Sequence, residues 1–338
     1  MNNVVSENFE VATGQFVGIC QAQSGRLSQD DRHLVLRTAE QDAASISRLF
    51  GEVDSNLFAT LYPEALAESE RALNDPDASF LERISAGIPK DDILERNGST
   101  VVMAYIGPNN TVITANLGDS RAELIMWNPG TQTLRCRLLT ADHTLKNKNE
   151  ENRIQEKRAH VVADWKTQDL PPQNKLTFGE RDLKLARSKL TKQIGITRSL
   201  GNEFFRPYLS EEPELQSFNL ADASFGITAE ENLWLCVTSD GIHGGFPVPQ
   251  REKMLREVFM SGSFAKNAPV ALAEKIVEHA EKAGSRDNKT CLITQLNLQA
   301  GAPHNYALMV LDGNGNKGGQ IAQTARDLFA ESLKPSSI

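Results

Sequence analysis

The sequence predicts an α+β fold, a sandwich of mainly antiparallel β-sheets covered by helices and built as one domain. Three observations lead there. Apolar runs of strand length recur between polar turns through the middle and C-terminal parts of the chain. Two stretches, 38–96 and 249–283, instead carry apolar residues at helical spacing. There is no internal repeat or low-complexity segment, so a single layered core is the simplest way to bury these faces.

Taken in order, the segment from Phe9 to Leu36 holds two short β-like runs, QFVGIC and HLVL, around the polar turn SGRLSQDD. From Thr38 to Arg96 the pattern turns helical. Ala44, Ile46, Leu49, Phe50, Leu57, Leu61, Leu66 and Leu73 share a face, with acidic residues between them. Residues 79–89 are spaced more loosely and read as a short helix and loop. STVVMAYIG, TVITANLGDS and RAELIMW follow, separated by Pro108-Asn109-Asn110 and Gly118-Asp119, and read as an antiparallel meander. Residues 149–158 look helical, and the polar stretch 163–192 reads as a surface excursion. ENLWLCVTSDG is a buried strand ending in an acidic turn. Two amphipathic helices come next, with Met254, Leu255, Val258 and Phe259, then Leu272, Ile276 and Val277, on their apolar faces. The strands KTCLITQLNL and YALMVLDG and a last helix, GGQIAQTARDLFAESL, complete the chain.

At 338 residues the chain can bury a large core, and 40% hydrophobic with 24% charged residues is an ordinary globular balance. No apolar run approaches the roughly 20 residues that span a bilayer. The first residues, MNNVVSENFE, show no secretory pattern. Cys20, Cys136, Cys236 and Cys291 form no C-x-x-C pair and are expected to be free buried thiols. A reducing, cytoplasmic setting is therefore expected, in the producing cell or in a host. The net charge of −8 argues against nucleic acid, whose phosphates require clustered Lys and Arg.

The acidic residues have a pattern. Asp119 follows TVITANLG, Asp240 follows LWLCVTS, Asp287 precedes KTCLITQL, Asp312 follows YALMVL, and Asp30-Asp31 precedes HLVL. Carboxylates at strand ends lie at the rim of a sheet, where hard cations such as Mg²⁺ and Mn²⁺ find the oxygen ligands they need. Two such ions about 3.5–4 Å apart clamp the attacking and leaving oxygens of a phosphoryl displacement. Against this stands a plain alternative: Asp-Gly is a common turn dipeptide, and Asp caps turns through its own side chain.

Local motifs separate the two. Gly118-Asp119-Ser120-Arg121, Leu139-Thr140-Ala141-Asp142-His143, EENRI at 150–154, Thr197-Arg198-Ser199-Leu200-Gly201, Thr238-Ser239-Asp240-Gly241 and Ser285-Arg286-Asp287-Asn288 occur in this order. From about Gly98 to Leu298 they resemble the PPM family of protein phosphatases, also called PP2C-like. The segment from Gly25 to Asp31 is similar to that family's opening motif, an arginine followed by an acidic pair. The resemblance implies a four-layer αββα sandwich. It also implies a serine/threonine protein phosphatase that hydrolyses phosphomonoesters with water and needs Mn²⁺ or Mg²⁺.

One family motif is out of place. Relatives follow the opening segment with a strand ending in Asp-Gly-x-Gly-Gly, and HLVLRTAEQDAAS lacks it. Beyond the usual last strand, this chain adds a strand ending in Asp312-Gly313-Asn314-Gly315 and a helix with Ile321, Ala325, Leu328 and Phe329 on one face. The expectation is a circular permutation, in which 301–334 completes the sheet and the site. A turn at 300–304 would pair the last two strands as a hairpin. The alternative is a C-terminal appendage whose Asp-Gly-Asn-Gly is a plain turn.

By resemblance, Asp31, Asp240, Asp287 and Asp312 hold two metal ions, with the carbonyl of Gly313 as a further ligand. Asp119 matches the position of an additional ion beside Asp240. Arg26 matches the arginine that grips the substrate phosphate, and Asp30 would orient water. The stretch 163–192 lies where relatives carry a flap. Asn314 stands where many relatives have a His, Asn202 where an acidic residue is common, and His243-Gly244 where Trp-Asp is common. His243 is expected to be a solvent-exposed or turn-stabilising residue and His143 to fix a loop. The expected partner is a phosphoserine or phosphothreonine protein, and the expected state a monomer. Two other functions stay open: an inactive pseudophosphatase that binds a partner, and hydrolysis of a phosphorylated small molecule.

Overall fold

The computed structural model describes residues 4–12, 15–23, 29–63, 67, 71, 74, 97–154, 156, 195–202, 209–243, 248–260, 268–298 and 305–334. Arg26, the segments 79–89 and 163–192, and the turn 300–304 lie outside the described residues.

Two six-strand layers face each other. Sheet one contains β1 (Val4–Ala12), β2 (Gln15–Ala22), β6 (Arg121–Asn128), β7 (Thr133–Leu138), β10 (Asn232–Thr238) and β11 (Lys289–Leu296), in the order β1-β2-β11-β10-β6-β7. Sheet two contains β3 (Arg32–Arg37), β4 (Gly98–Ile106), β5 (Thr111–Leu117), β9 (Glu214–Asn219) and β12 (Tyr306–Asn314), in the order β3-β12-β4-β5-β9. The short β8 (Leu200–Gly201) pairs with β4, and every ladder is antiparallel. Helices α1 (Ala43–Leu61) and α5 (Gly318–Leu333) cover sheet two; α3 (Val248–Met260) and α4 (Ala268–Lys282) cover sheet one. The one-turn α2 (Asp240–His243) follows β10 directly. The layers are thus α, β, β, α.

The period of two in the strands explains this layering. Val102, Ala104 and Ile106 of β4 and Tyr306, Leu308 and Val310 of β12 point between the sheets. Their alternates Val101, Met103, Ala307, Met309 and Leu311 point outward beneath α1 and α5. A strand covered on both faces is apolar at successive positions, which is why YALMVL and VVMAYI read as unbroken apolar runs. Helix α1 starts where Asp42 accepts a hydrogen bond from the Ser45 amide at 2.7 Å. It buries Ile46, Leu49, Phe50, Val53 and Leu57, whereas Ala44 is exposed. Phe50 meets Phe329 of α5 edge-on, with ring centres 5.0 Å apart. Truncating either ring to Ala would cost about 3–5 kcal/mol.

Two expectations are corrected. The predicted meander breaks after its second strand: β4 and β5 pair in sheet two, but β6 belongs to sheet one. The crossing occurs at Gly118, whose φ of +123° disfavours other residues and whose added Cβ would lie 2.5 Å from the Thr100 side chain. Nor do β11 and β12 form a hairpin. Both edges of β11 are taken by β2 and β10, so β12 enters the other sheet between β3 and β4.

Cys20, Cys236 and Cys291 are free and buried as expected, but Cys136 on the edge strand β7 is only partly buried. Cys20 and Cys291 are register partners, and Cys236 Sγ is 3.8 Å from Cys291 Sγ. Burial pushes the Cys20 thiol up to about 12, and contact with Cys236 together with burial raises Cys291 as well, so both stay protonated. Among the described residues, no helix is long and apolar enough to cross a membrane.

Candidate metal centre

Carboxylates from both sheets meet at one end of the sandwich. Sheet two supplies Asp31, just before β3, and Asp312, near the end of β12; sheet one supplies Asp240, after β10, and Asp287, before β11. Side chains alternate along β12, so Asp312 continues the inward row of Leu308 and Val310 to the mouth between the sheets.

Asp31 is 1% exposed. Its Oδ2 accepts from Thr290 Oγ1 at 2.9 Å, a bond that ties the opening segment to β11. Its Oδ1 is buried without a hydrogen-bond partner among the described residues. Burial, with repulsion from Asp240, pushes the carboxyl up to about 6 despite hydrogen bonds involving Ser239, Thr290 and Asp312. Asp312 is held well above the carboxylate range by burial, then by the charges of Asp31 and Asp240 and a hydrogen bond with Asp240. Asp287 adds to that repulsion, and its Oδ1 accepts from the Asn288 amide at 2.8 Å. Asp119 is pushed up to about 8 by burial and by Asp240 and Asp142.

These shifts share one origin. Two carboxylates about 4 Å apart repel by about 4 kcal/mol at an effective dielectric near 20. Without a compensating cation they take up protons and bond to one another. Among the described residues, no group of three or more Asp, Glu, His or Cys stands in a metal-holding arrangement. Asp312 lies within hydrogen-bonding reach of both Asp31 and Asp240, and Asp31 also feels the charge of Asp240. The donor set is all oxygen, and the bare Oδ1 of Asp31 lacks the positive partner its burial demands. The residues fit a hard divalent cation.

The backbone around the cluster is packed tightly. A Cβ on Gly241 would overlap the carbonyl of Asn288, so the Asp240-Gly241 turn abuts the Asp287-Asn288 turn. Ser285 Oγ donates to Gly241 O at 2.8 Å across the same contact. A Cβ on Gly313 would overlap Gly318, and one on Gly319 would lie 2.7 Å from Asp30 Oδ1. Asp30 therefore sits against the start of α5. Arg32 braces this region by donating to Gln29 O at 2.6 Å, Asp31 O at 2.8 Å and Gln323 Oε1 at 2.8 Å.

Of the residues singled out by sequence, Asp31, Asp240, Asp287 and Asp312 come together, Asp119 lies beside Asp240, Gly313 adjoins Asp312, and Asp30 lies one residue behind Asp31. His143 is fully buried and fixes a loop: its Nδ1 accepts from the Gly118 amide at 3.1 Å and its Nε2 faces Glu214 Oε2 at 3.1 Å. His243 is not solvent-exposed; it closes α2 and is buried. Sequence reasoning missed Thr290, Ser239, Arg32 and Lys289. Lys289 is fully buried, and its Nζ donates to Ser285 O at 3.1 Å and Asp287 O at 2.9 Å, steadying the Asp287 turn. Its adjacency to the Ser-Arg-Asp-Asn motif was the available signal.

The profile of the family described as Protein phosphatase 2C matches residues 17–289. A probable protein phosphatase 2C member 13, mitochondrial, from Oryza sativa subsp. japonica is 25% identical over 82% of this chain and 67% of its own length. A probable protein phosphatase 2C 7 from the same plant is 25% identical over 71% of this chain and 52% of its own. The chain thus spans between about half and two thirds of these curated relatives. A solved serine-threonine phosphatase 2C from Toxoplasma gondii is 16% identical, with a TM-score of 0.47 over 87% of this chain and 99% of that one.

Proposed function

The chain belongs to the protein phosphatase 2C family, and on that premise we propose that it is a metal-dependent phosphatase acting on phosphoserine and phosphothreonine in proteins. The observation that carries this reading is the convergence of Asp31, Asp240 and Asp312 from two sheets, with Asp31 Oδ1 buried and bare. In this reading Asp31, Asp240, Asp287 and Asp312 hold two ions, aided by the carbonyl of Gly313, and Asp119 with Asp240 holds a third. Bound Mn²⁺ or Mg²⁺ would neutralise the phosphoryl group and activate water for in-line attack.

The chain's own groups do the rest. Thr290 fixes the rotamer of Asp31 through its hydrogen bond, and Ser239 aligns β10 with β11 by accepting from the Thr290 amide at 3.0 Å. Asp30, against the start of α5 at Gly319, would orient water. Arg26 would clamp the phosphate with its planar guanidinium. The stretch 163–192 would act as the flap, in a single domain running 1–338.

We read β12 and α5 as the strand and helix that relatives carry after the opening segment, relocated to the C-terminus. Two facts support this: β12 fills the slot between β3 and β4, and the family match ends at residue 289, before β12 begins. A monomer in a reducing, cytoplasmic compartment completes the proposal.

The test is hydrolysis of phosphoserine and phosphothreonine peptides and of an aryl phosphate with Mn²⁺, with and without chelator. Chelator-sensitive turnover of the peptides is expected. Folded protein that shows none would be the inactive binding protein instead, and turnover confined to phosphorylated metabolites would change the substrate class.

A further inference from the structure

Asp119 and Asp240 come from different parts of the sandwich. Asp119 sits where the chain passes from β5 in sheet two to β6 in sheet one; Asp240 opens α2 at the end of β10. The charge of Asp240 acts on the Asp119 carboxyl, so the two groups lie close together.

The tie is visible. His243 lies three residues after Asp240 on the same helical turn, and its ring is buried, with the residue 4% exposed. Its Nε2 is 3.0 Å from the carbonyl oxygen of Asp119, and its Nδ1 is 3.4 Å from Thr238 Oγ1. A carbonyl oxygen can only accept, so Nε2 carries the proton and donates, leaving Nδ1 as the acceptor toward Thr238. On the other side of the same turn, the Gly118 amide donates to His143 Nδ1 at 3.1 Å. Two buried imidazoles therefore hold the Gly118-Asp119 segment. His143 hangs it on the surrounding loops, and His243 hangs it on the helix that carries Asp240.

We propose that His243 is a positioning residue: through the main chain of Asp119 it sets the spacing between the Asp119 and Asp240 carboxylates, and with it the affinity of a divalent cation held by that pair. The proposal rests on the reading of this end of the sandwich as a cation centre. Its physical basis is preorganisation. Two repelling carboxylates left unrestrained drift apart or turn to other donors, and a cation must then restore their spacing at the expense of its own binding free energy. A hydrogen bond to the backbone keeps the spacing and leaves every carboxylate oxygen available.

The experiment is calorimetric titration of the full chain with Mn²⁺, read beside thermal melting of the cation-free protein. The variants are His243→Ala, His243→Gln, His243→Asn, Asp119→Ala and His243→Ala with Asp119→Ala. The Asp119-dependent part of Mn²⁺ binding is expected to weaken about 10- to 100-fold in His243→Ala. His243→Gln, whose amide NH₂ reaches as far as Nε2, should stay within a few-fold of the parent, and His243→Asn, which is too short, should behave like Ala. In the Asp119→Ala background, His243→Ala should change Mn²⁺ binding no further. A lowered melting temperature with unchanged Mn²⁺ affinity, or additive effects of the two changes, would overturn the proposal and leave His243 a purely structural residue. If His243→Ala does not fold, equal Mn²⁺ affinities for the Gln and Asn variants would overturn it as well. A parent protein that binds Mn²⁺ with no Asp119-dependent part overturns this inference alone, whereas one that binds no Mn²⁺ overturns the metal centre beneath it.

Discussion

Asn202 Nδ2 donates to Asn314 Oδ1 at 2.9 Å, joining the Arg-Ser-Leu-Gly turn to the end of β12. On the resemblance read from the sequence, with β12 as the relocated strand, these are two positions at which departures from the family pattern are expected, and the two side chains touch. Where the family pattern commonly has an acidic residue and, in many members, a His, this chain has two neutral amides. Asn202 is fully buried at φ +55°; its side chain also donates to Ser199 Oγ at 3.0 Å, and its amide donates to Asn97 O at 2.9 Å. A charge on one partner alone would lie buried and unmatched, so the pair is expected to vary together.

That expectation can be measured. Asn202→Asp alone should destabilise the protein by about 2–3 kcal/mol, the cost of an unpaired buried charge after partial relaxation. Asn202→Asp combined with Asn314→His should recover about 1 kcal/mol or more of that loss, because the imidazolium can pair with the new carboxylate. Urea denaturation of the four proteins forms the cycle. Strict additivity would mean that the contact carries no coupling.

The carboxylate cluster makes opposite demands on stability and function. Asp312→Asn removes one charge from a buried group of like charges, so without divalent cations the variant should melt at or above the parent temperature. It should also abolish the Mn²⁺-induced rise in melting temperature and lower turnover by about 10²-fold or more. In the parent, Mn²⁺ at about 100 times its Kd should add about 2.7 kcal/mol, removed by chelator. Differential scanning fluorimetry with and without Mn²⁺ separates these effects. A variant with undiminished turnover would return Asp312 to the role of a turn residue.

The sequence motifs were legible because they interlock. Arg121 of Gly-Asp-Ser-Arg grips Asp142 with two bonds of 2.8 and 2.6 Å, Arg198 and Thr197 grip Glu150, Gly241 lies on Asn288, and Asn202 meets Asn314. Strands buried on both faces announced themselves as unbroken apolar runs. Three of the four edge strands did not: β1, β7 and β9 face solvent over much of their surface, so ENFEVA, TLRCRL and ELQSFN carry no strong pattern. Sheet membership was also hidden. Turn signals mark where a strand ends, but Gly118 turns into the opposite sheet, and its close approach to the Thr100 side chain is a contact that local spacing does not reveal. The anchors Thr290 and Lys289 looked like ordinary strand residues, because their partners are distant in sequence or are backbone carbonyls.

Glu150 predicts a pH dependence. Its carboxylate receives Arg198 at 2.7 Å, Arg153 at 2.9 Å and Thr197 Oγ1 at 2.6 Å, and so ties the Glu150–Arg153 turn to Thr197-Arg198. Burial opposes its ionisation, but the bonds from Arg198, Arg153 and Thr197 outweigh burial and hold it at about 2, against 4.5 for a free side chain. A carboxyl held low stabilises the fold fully above its unfolded value, and that share is lost as pH falls from about 4.5 toward 2. Glu150→Gln should cost about 2–3 kcal/mol at pH 7, the low side of a broken buried ion pair because both arginines are partly exposed. The difference between parent and variant should shrink as pH drops below 4.5, which urea melts at several pH values would show. A gap independent of pH would assign the effect to packing.

Truncation after Gln299 tests the placement of β12. The strand lies between β3 and β4, pairing Tyr306–Leu311 with Arg37–Arg32 on one side and Tyr306–Asn314 with Ile106–Gly98 on the other. Helix α5 rests beside α1, with Phe329 against Phe50. Removing both elements strips the inward row of Tyr306, Leu308 and Val310 and leaves the inner edges of β3 and β4 unpaired. Burying three large side chains contributes about 5–9 kcal/mol by area, comparable to the whole stability of a typical domain. The truncated protein is therefore expected to be insoluble or molten by near-ultraviolet circular dichroism, not folded and merely inactive. A simple appendage would behave differently. If the shortened protein stays cooperatively folded and keeps its chelator-sensitive turnover, β12 is dispensable and the relocated-strand reading is wrong.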